Sequence, residues 1–155
     1  MKKLIALLIV ALSFVCTPRA QPLYQLIGYI PDATYVVYAR GYTFSPYAYR
    51  VDNGDDTVLT TKISSAGEVY EGTQCVLGET VSFCGAQADL DELIERLGFS
   101  VVYDSDIAGC TYGYSPKLGK GVLVEGRQVN CQIVIEGDRI TVGFPLILGS
   151  YHLTT

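Results

Sequence analysis

The chain has 155 residues, enough for one domain, with 16 acidic and 11 basic side chains and a formal charge of −5. An acidic protein is a poor candidate for binding nucleic acid, because that binding rests on cationic contacts to phosphate. It is equally poor for unassisted binding to an anionic membrane surface. One histidine cannot supply a histidine-rich metal site.

Residues 1–20 have the pattern of a secretory signal peptide. Two lysines precede an apolar run over residues 4–15, which is too short to span a bilayer, since a spanning helix needs about 20 apolar residues. We therefore predict an extracytoplasmic protein, secreted or tethered, with one domain over residues 21–155. An uncleaved anchor is the alternative, and membrane contact is then expected only through this segment. Cleavage after Ala20 leaves eight of the 11 basic residues against all 16 acidic ones, a net charge of −8.

The first part of the domain is predicted to be mostly strands. Residues 21–32 carry two prolines and resemble a linker, whereas 33–40 are β-branched and aromatic, as in a strand. The pair Asn53-Gly54 favours a tight turn, because both central positions of such a turn take positive φ. The predicted arms of that hairpin are residues 47–51 and 57–64. Residues 65–77 are ambiguous, since two glycines argue against a long helix.

An amphipathic helix is predicted over residues 86–97, with Gly98 as its stop. Its apolar residues fall at i, i+3, i+4 and i+7, namely Leu90, Leu93, Ile94 and Leu97. Further strands are predicted at 79–84, 99–103, 110–114, 122–124, 129–135 and 139–142. The predicted fold class is therefore α+β, a mostly antiparallel sheet with this one firm helix on one face.

Four cysteines follow the predicted signal peptide: Cys75, Cys84, Cys110 and Cys131. An even number in an exported chain permits two disulfides, with three connectivities. The alternative is that some of them are small buried hydrophobic residues. No pair has CxxC spacing, so neither a zinc site nor a thiol redox motif is expected.

No set of residues indicates catalysis, and no cofactor or metal is predicted. His152 lies close to the C-terminus, where a catalytic base is seldom held in place by a third group. The acidic residues within 52–56 lack the spacing of a calcium-binding loop. Asp91, Glu92 and Glu95 lie on a predicted solvated helix face, whereas a glycosidase pair stands across a cleft.

Tyrosine is the compositional anomaly, with 12 residues and no tryptophan. Seven of them fall in the first part of the domain: Tyr24, Tyr29, Tyr35, Tyr38, Tyr42, Tyr47 and Tyr49. Tyrosine is enriched at recognition surfaces but also suits half-exposed strands, and spacing does not separate the two interpretations. Alternation predicts that Tyr35 and Tyr38 lie on opposite faces, one of them in the core. Tyr47 and Tyr49 are predicted to share the solvent side and to form a candidate ligand surface.

Asn130 and Gln132 complete that candidate surface. They alternate with Val129, Cys131 and Ile133 in a predicted strand, so the sequence places them on its solvent side.

The C-terminal part carries a resemblance to a known family. From Gly113 the chain has the sequence GYSPKLGKGVLVEGRQVNCQIVIEGDRITVGFPLILGSY. It resembles the end of the YwmB-type family of exported bacterial proteins, labelled TATA-box-binding-like for their fold. The matching residues are Tyr114, Ser115, Pro116, Val129, Asn130, Gln132, Val142, Gly143, Pro145, Ile147 and Tyr151. The resemblance covers roughly residues 79–151 and implies a curved sheet with helices on one face, a Gram-positive source and links to the cell envelope and sporulation.

The sequence therefore favours a non-catalytic cell-envelope module for binding or scaffolding, whose partner is an envelope protein or wall polymer. The alternative is a carboxylate-dependent hydrolase of cell-wall polymer, which requires two carboxyls in one pocket, one with a raised pKa. A third hypothesis is a module like the N-terminal domains of secretins, although no tandem copy is present.

Overall fold

A computed structural model describes residues 20–104 and 109–147 of the chain. The predicted signal peptide, except for Ala20, and His152 lie outside the described residues.

The described residues form one large antiparallel sheet and a small hairpin. The strands are β1 (Thr34–Arg40), β2 (Tyr49–Asn53), β3 (Asp56–Lys62), β4 (Val76–Cys84), β5 (Ser100–Asp104), β6 (Cys110–Tyr114), β7 (Val122–Val124), β8 (Arg127–Val129), β9 (Cys131–Glu136) and β10 (Arg139–Phe144). Eight of them make the large sheet in the order β2-β3-β1-β4-β10-β9-β6-β5, while β7 pairs only with β8. The predicted α+β class is confirmed, and each predicted strand is present with ends within three residues of the prediction.

In the described part of the chain three helices accompany the sheet: α1 (Leu23–Ile27), α2 (Ala66–Glu71) and α3 (Gln87–Leu97). The predicted helix is confirmed as α3, which ends where Gly98 adopts the left-handed conformation that glycine tolerates. Residues 21–32 are not simply a linker, because α1 lies within them and buries Leu23 and Ile27. A short 3₁₀ turn, Ile63–Ser65, leads into α2.

All three helices pack on one face of the sheet, here called the helix-side face. The core there combines Tyr35, Val37, Leu59 and Val81 of the sheet with helical residues such as Leu93. Tyr35 is fully buried in this core, whereas Tyr38 is half-buried on the opposite, far face, as alternation predicted.

The far face is divided into two halves. Over β10, β9 and β6, the closed half, Val134 and Cys110 pack against Ile147 of the segment after β10. Over β2, β3 and β1, the open half, Tyr49 and Val51 are exposed. The same sheet therefore offers a covered surface at one end and an accessible one at the other.

The β2–β3 hairpin turns one residue later than predicted. Asn53 pairs with Asp56, so Gly54 and Asp55 are the central residues. Gly54 has a φ of 62°, whereas Asp55 is not among the residues with positive φ. A turn with glycine only at its first central position is the type II′ arrangement, and it replaces the predicted Asn-Gly turn.

The four cysteines are free in this structure, so neither permitted disulfide is present. Cys75 immediately precedes β4 and Cys84 is the last of its nine residues, so their Cα atoms lie roughly 30 Å apart, whereas a disulfide needs Cα atoms within about 7 Å. Cys110 and Cys131 are buried in different apolar clusters on the two faces of the sheet. Both buried thiols act as small hydrophobic residues, and burial raises the pKa of Cys131 to about 12.

Candidate binding surface

Four large aromatic side chains are exposed beside the β2 edge of the sheet. Tyr42, Phe44, Tyr47 and Tyr49, together called the aromatic rim, each keep between 60% and 75% of their surface accessible. They lie within eight consecutive residues, and Val51 follows on the same strand as Tyr49. Large aromatic side chains are mostly buried in folded proteins, so four neighbouring exposed ones distinguish the rim from the rest of the sheet.

The segment that carries the rim is held in place by hydroxyl groups. Thr57 donates from Oγ1 to the carbonyl of Gly41 at 2.7 Å, and Thr61 donates to the carbonyl of Tyr47 at 2.6 Å. Between the rim aromatics, the side chains of Thr43 and Ser45 are buried. Alternation of small buried and large exposed residues therefore presents the aromatic rings outward from a fixed backbone.

Arg50 joins the rim to the strand. Its guanidinium carbon lies 3.9 Å from the centre of the Tyr42 ring, a cation–π contact. Its Nε donates to the Asp52 carboxylate at 2.8 Å, and this hydrogen bond lowers the pKa of Asp52. Tyr49 and Arg50 are neighbours in β2, so their side chains lie on opposite faces of the sheet. Tyr42, which contacts Arg50, therefore flanks β2 on the helix side, whereas Tyr49 lies on the far side.

The two predicted surface tyrosines are exposed, but not for the same reason. Tyr49 begins β2, where it pairs with Thr60. Tyr47 lies in the turn before the strand, so strand alternation does not set its direction. The rim therefore wraps around the edge of the sheet, and Tyr47 and Tyr49 do not share a strand face.

Asn130 and Gln132 do not lie on the solvent side of a strand, contrary to the prediction. Both are buried. Asn130 donates from Nδ2 to the carbonyls of Ser115 (2.7 Å) and Gly119 (2.9 Å) and accepts from the Ser115 amide. Gln132 accepts from the Ile147 amide at 2.9 Å. The Asn130 amide holds the segment after β6 in place, and the Gln132 amide holds the segment after β10 onto β9 in the closed half, so neither residue belongs with the tyrosines.

A buried carboxylate, which the sequence interpretation missed, lies at the centre of the core. Glu79 is only 2% exposed and accepts hydrogen bonds from the Tyr35 hydroxyl at 2.7 Å and the Leu23 amide at 3.0 Å. Burial raises the pKa of Glu79, and the two hydrogen bonds oppose that rise. Burial and the nearby Glu79 also raise the pKa of Tyr35. Glu79 lies two residues before Val81 in the predicted strand, so strand alternation puts both side chains on the same face, opposite that of Thr80. This alternation was the available sequence signal for the burial of Glu79.

A cavity of about 260 Å³ lies between α3 and the loop after α1. Two carboxylates, Asp89 and Glu92, line it together with Arg96. Asp89 accepts the Ala86 amide at 2.6 Å, while Glu92 pairs with Arg96, whose Nη1 donates to the Ile27 carbonyl at 2.8 Å. Both carboxylates are thus held by neighbours of their own helix, and Glu79 does not line this cavity.

No protein family, curated protein or solved structure matches the chain. The resemblance to the YwmB-type family therefore stays a prediction. Within residues 20–104 and 109–147, no cluster of side chains is suited to hold a metal ion. None of the helices in that same part of the chain is long and apolar enough to cross a membrane.

Proposed function

We propose that the protein is an exported, non-catalytic module that binds a cell-envelope partner, a protein or wall polymer, through the aromatic rim. The observation that carries this proposal is the exposure of four neighbouring aromatic side chains on a fixed backbone. Tyrosine and phenylalanine supply large contact areas with few rotatable bonds, so ordering them on binding costs little entropy.

Extracytoplasmic location is the second part of the proposal. It is supported by the signal-like composition of residues 1–20. The YwmB-type resemblance of the C-terminal half supports a Gram-positive envelope as the setting. A wall polymer with repeating sugar rings would suit an aromatic surface, because sugar C–H groups pack on aromatic faces.

The hydrolase alternative has less support. It requires a pair of free carboxyls in one pocket, one with a raised pKa. Asp89 and Glu92 share a cavity, but an amide and a guanidinium already engage them. The carboxyl whose pKa burial raises, Glu79, lies in the core and is engaged by Tyr35 and Leu23. Binding through the rim therefore accounts for more of the structure than hydrolysis.

The test is co-sedimentation of the purified protein with purified cell-wall sacculi, and in parallel with washed envelope membranes. The full chain is expressed, and the protein is purified with its N-terminal segment cleaved or uncleaved, as the cell produces it. The rim variant replaces all four aromatics by alanine. The matched control is Tyr29→Ala, because Tyr29 is 73% exposed but lies beside the α3 cavity.

We expect the wild type and Tyr29→Ala to bind one of these two fractions equally. The rim variant should lose about 100-fold or more in affinity, since truncating a few central aromatics commonly costs over 2 kcal/mol. Binding by the rim variant at the wild-type level would contradict the proposal, as would absence of binding to both fractions by the wild type.

A further inference from the structure

The two edges of the large sheet differ in how far they are closed. At the β5 edge, Arg127 donates from Nη1 to the carbonyl of Val102 at 2.9 Å, and the ladder is irregular between Val101 and Tyr103. At the β2 edge, no strand among the described residues pairs with β2 on the side away from β3. An exposed strand edge is a template for pairing with another chain.

The register of the β2–β3 hairpin shows which groups point outward. Asn53 and Asp56 close a two-residue turn and form the first hydrogen-bonded pair, so Val51 and Tyr49 also bond towards β3. The N–H and C=O groups of Arg50 and Asp52 therefore point away from the sheet. These four groups are available to a second strand.

We propose that β2 pairs antiparallel with β2 of a second copy of this chain, centred on Val51. In that register Arg50 of each copy faces Asp52 of the other, and Tyr49 faces Asn53. Arg50 of one copy and Asp52 of the other exchange two main-chain hydrogen bonds. The symmetric pair adds two more, so four hydrogen bonds form across the two-fold axis. Opposite charges therefore meet twice, and the exposed Val51 side chains meet at the centre.

Charge complementarity is what selects a second copy as the occupant. A strand edge that carries charges of one sign repels its own copy, and this is how many proteins keep their edges unpaired. In β2 the sequence YRVDN carries one cation and one anion at equal distances from Val51, so its antiparallel self-pairing is complementary. Arg50 and Asp52 lie on the same side of β2 and pair within one copy, so self-association exchanges each of these contacts for the same contact across the two-fold axis.

Self-pairing would leave Tyr49 of the aromatic rim accessible. Tyr49 stands perpendicular to the sheet on its far face, and the two-fold axis keeps both far faces on one side. The two Tyr49 residues would then lie about 14 Å apart along the paired strands. The inference goes beyond the proposed function and does not depend on it, because self-association is measured without any envelope ligand.

The experiment is sedimentation equilibrium of the purified protein, from full-chain expression, at concentrations up to about 1 mM, since a short edge interface is expected to be weak. Arg50→Asp and Asp52→Arg each create two like-charge pairs and should weaken self-association about tenfold or more. The matched control is Arg40→Asp, the same charge change at an exposed position of β1, away from the edge.

Two further samples test the register itself. An equal mixture of Arg50→Asp and Asp52→Arg restores both attractions between unlike copies, and the double variant restores them within one species. Both should associate as the wild type does. A wild type that is monomeric at about 1 mM overturns the proposal. So does self-association of either single variant at the wild-type level, or failure of both the mixture and the double variant to associate.

Discussion

The two halves of the far face differ although they belong to one sheet. In the closed half, polar side chains such as Gln132 and Thr141 are buried, and the segment containing Ile147 covers the strands. In the open half, Tyr49 and Val51 stand exposed on β2. Polar residues in the closed half therefore serve the fold, whereas apolar residues in the open half remain available to a partner.

Close approach of the covering segment depends on Gly143. A Cβ atom at this position would lie 2.6 Å from Cγ1 of Ile147, far inside van der Waals contact. The amide of Ile147 then reaches Gln132 at 2.9 Å. No described segment covers β2 in a similar way, so its exposure follows from the path of the chain and not from strand composition.

The largest expected loss of stability follows from truncating Leu93, because this residue packs in the helix-side core, which underlies both halves of the sheet. Leu93→Ala should lower the free energy of unfolding by about 2–5 kcal/mol, the usual cost of truncating a buried leucine. Urea denaturation measures this loss, with the exposed Leu123→Ala in β7 as the control. A loss within about 0.5 kcal/mol would mean that α3 does not pack on the sheet.

Asn130→Ala tests the buried polar contacts beside the start of β9. The substitution leaves the Ser115 amide and the carbonyls of Ser115 and Gly119 without their side-chain partner. We expect a loss of about 2–3 kcal/mol, since buried polar groups without partners cost about 1–3 kcal/mol. Gln128→Ala, an exposed amide on β8, should stay within about 0.5 kcal/mol of the wild type in the same denaturation experiment. Equal effects of the two substitutions would show that Asn130 is not a structural residue.

Glu79 lies on β4, between the halves, and predicts a pH dependence. Its pKa is raised in the folded protein, so the native state holds the proton more tightly than the unfolded chain does. The stability of the wild type relative to Glu79→Gln should therefore fall as pH rises from about 4, where an unfolded glutamate titrates, through the raised pKa. Denaturation curves of both proteins between about pH 4 and pH 8 measure this difference. A relative gain for the wild type over that range would contradict the burial assigned to Glu79.

The smallest effect on stability is expected in the open half. Tyr47→Ala combined with Tyr49→Ala should change the free energy of unfolding by less than about 1 kcal/mol, because both side chains are exposed. Tyr35→Ala is the contrasting tyrosine variant, since Tyr35 is buried and bonded to Glu79. Thermal unfolding should separate the two proteins clearly. Similar losses in both would mean that the rim tyrosines pack as core residues do.

The sequence predicted most of the fold, because strand alternation and helical periodicity are local signals. It predicted α3 from the spacing of Leu90, Leu93 and Leu97, and it predicted the exposure of Tyr49. It missed α1, a five-residue helix whose first amide is held by Glu79, 56 positions further along the chain. Such a contact leaves no local pattern.

The candidate site was predicted in part. Alternation places Gln132 on the face opposite Ile133, but it cannot show that the segment after β10 folds over that face. Tyr42 and Phe44 joined the surface only when the structure showed that the segment before β2 exposes them. The path of distant parts of the chain decides which strand faces remain open. For this reason the prediction that Asn130 and Gln132 face solvent failed.

Chemical footprinting of the wild type, free and bound to the envelope fraction that captures it, tests most directly whether the rim is the binding surface. Oxidative labelling followed by mass spectrometry reports the accessibility of Tyr42, Phe44, Tyr47 and Tyr49 one by one, with Tyr29 as the internal reference. We predict strong labelling of all five in the free protein and protection of the four rim residues alone in the bound protein. Unchanged labelling of the rim together with protection of Tyr29 would contradict the proposed surface and place binding at the α3 cavity.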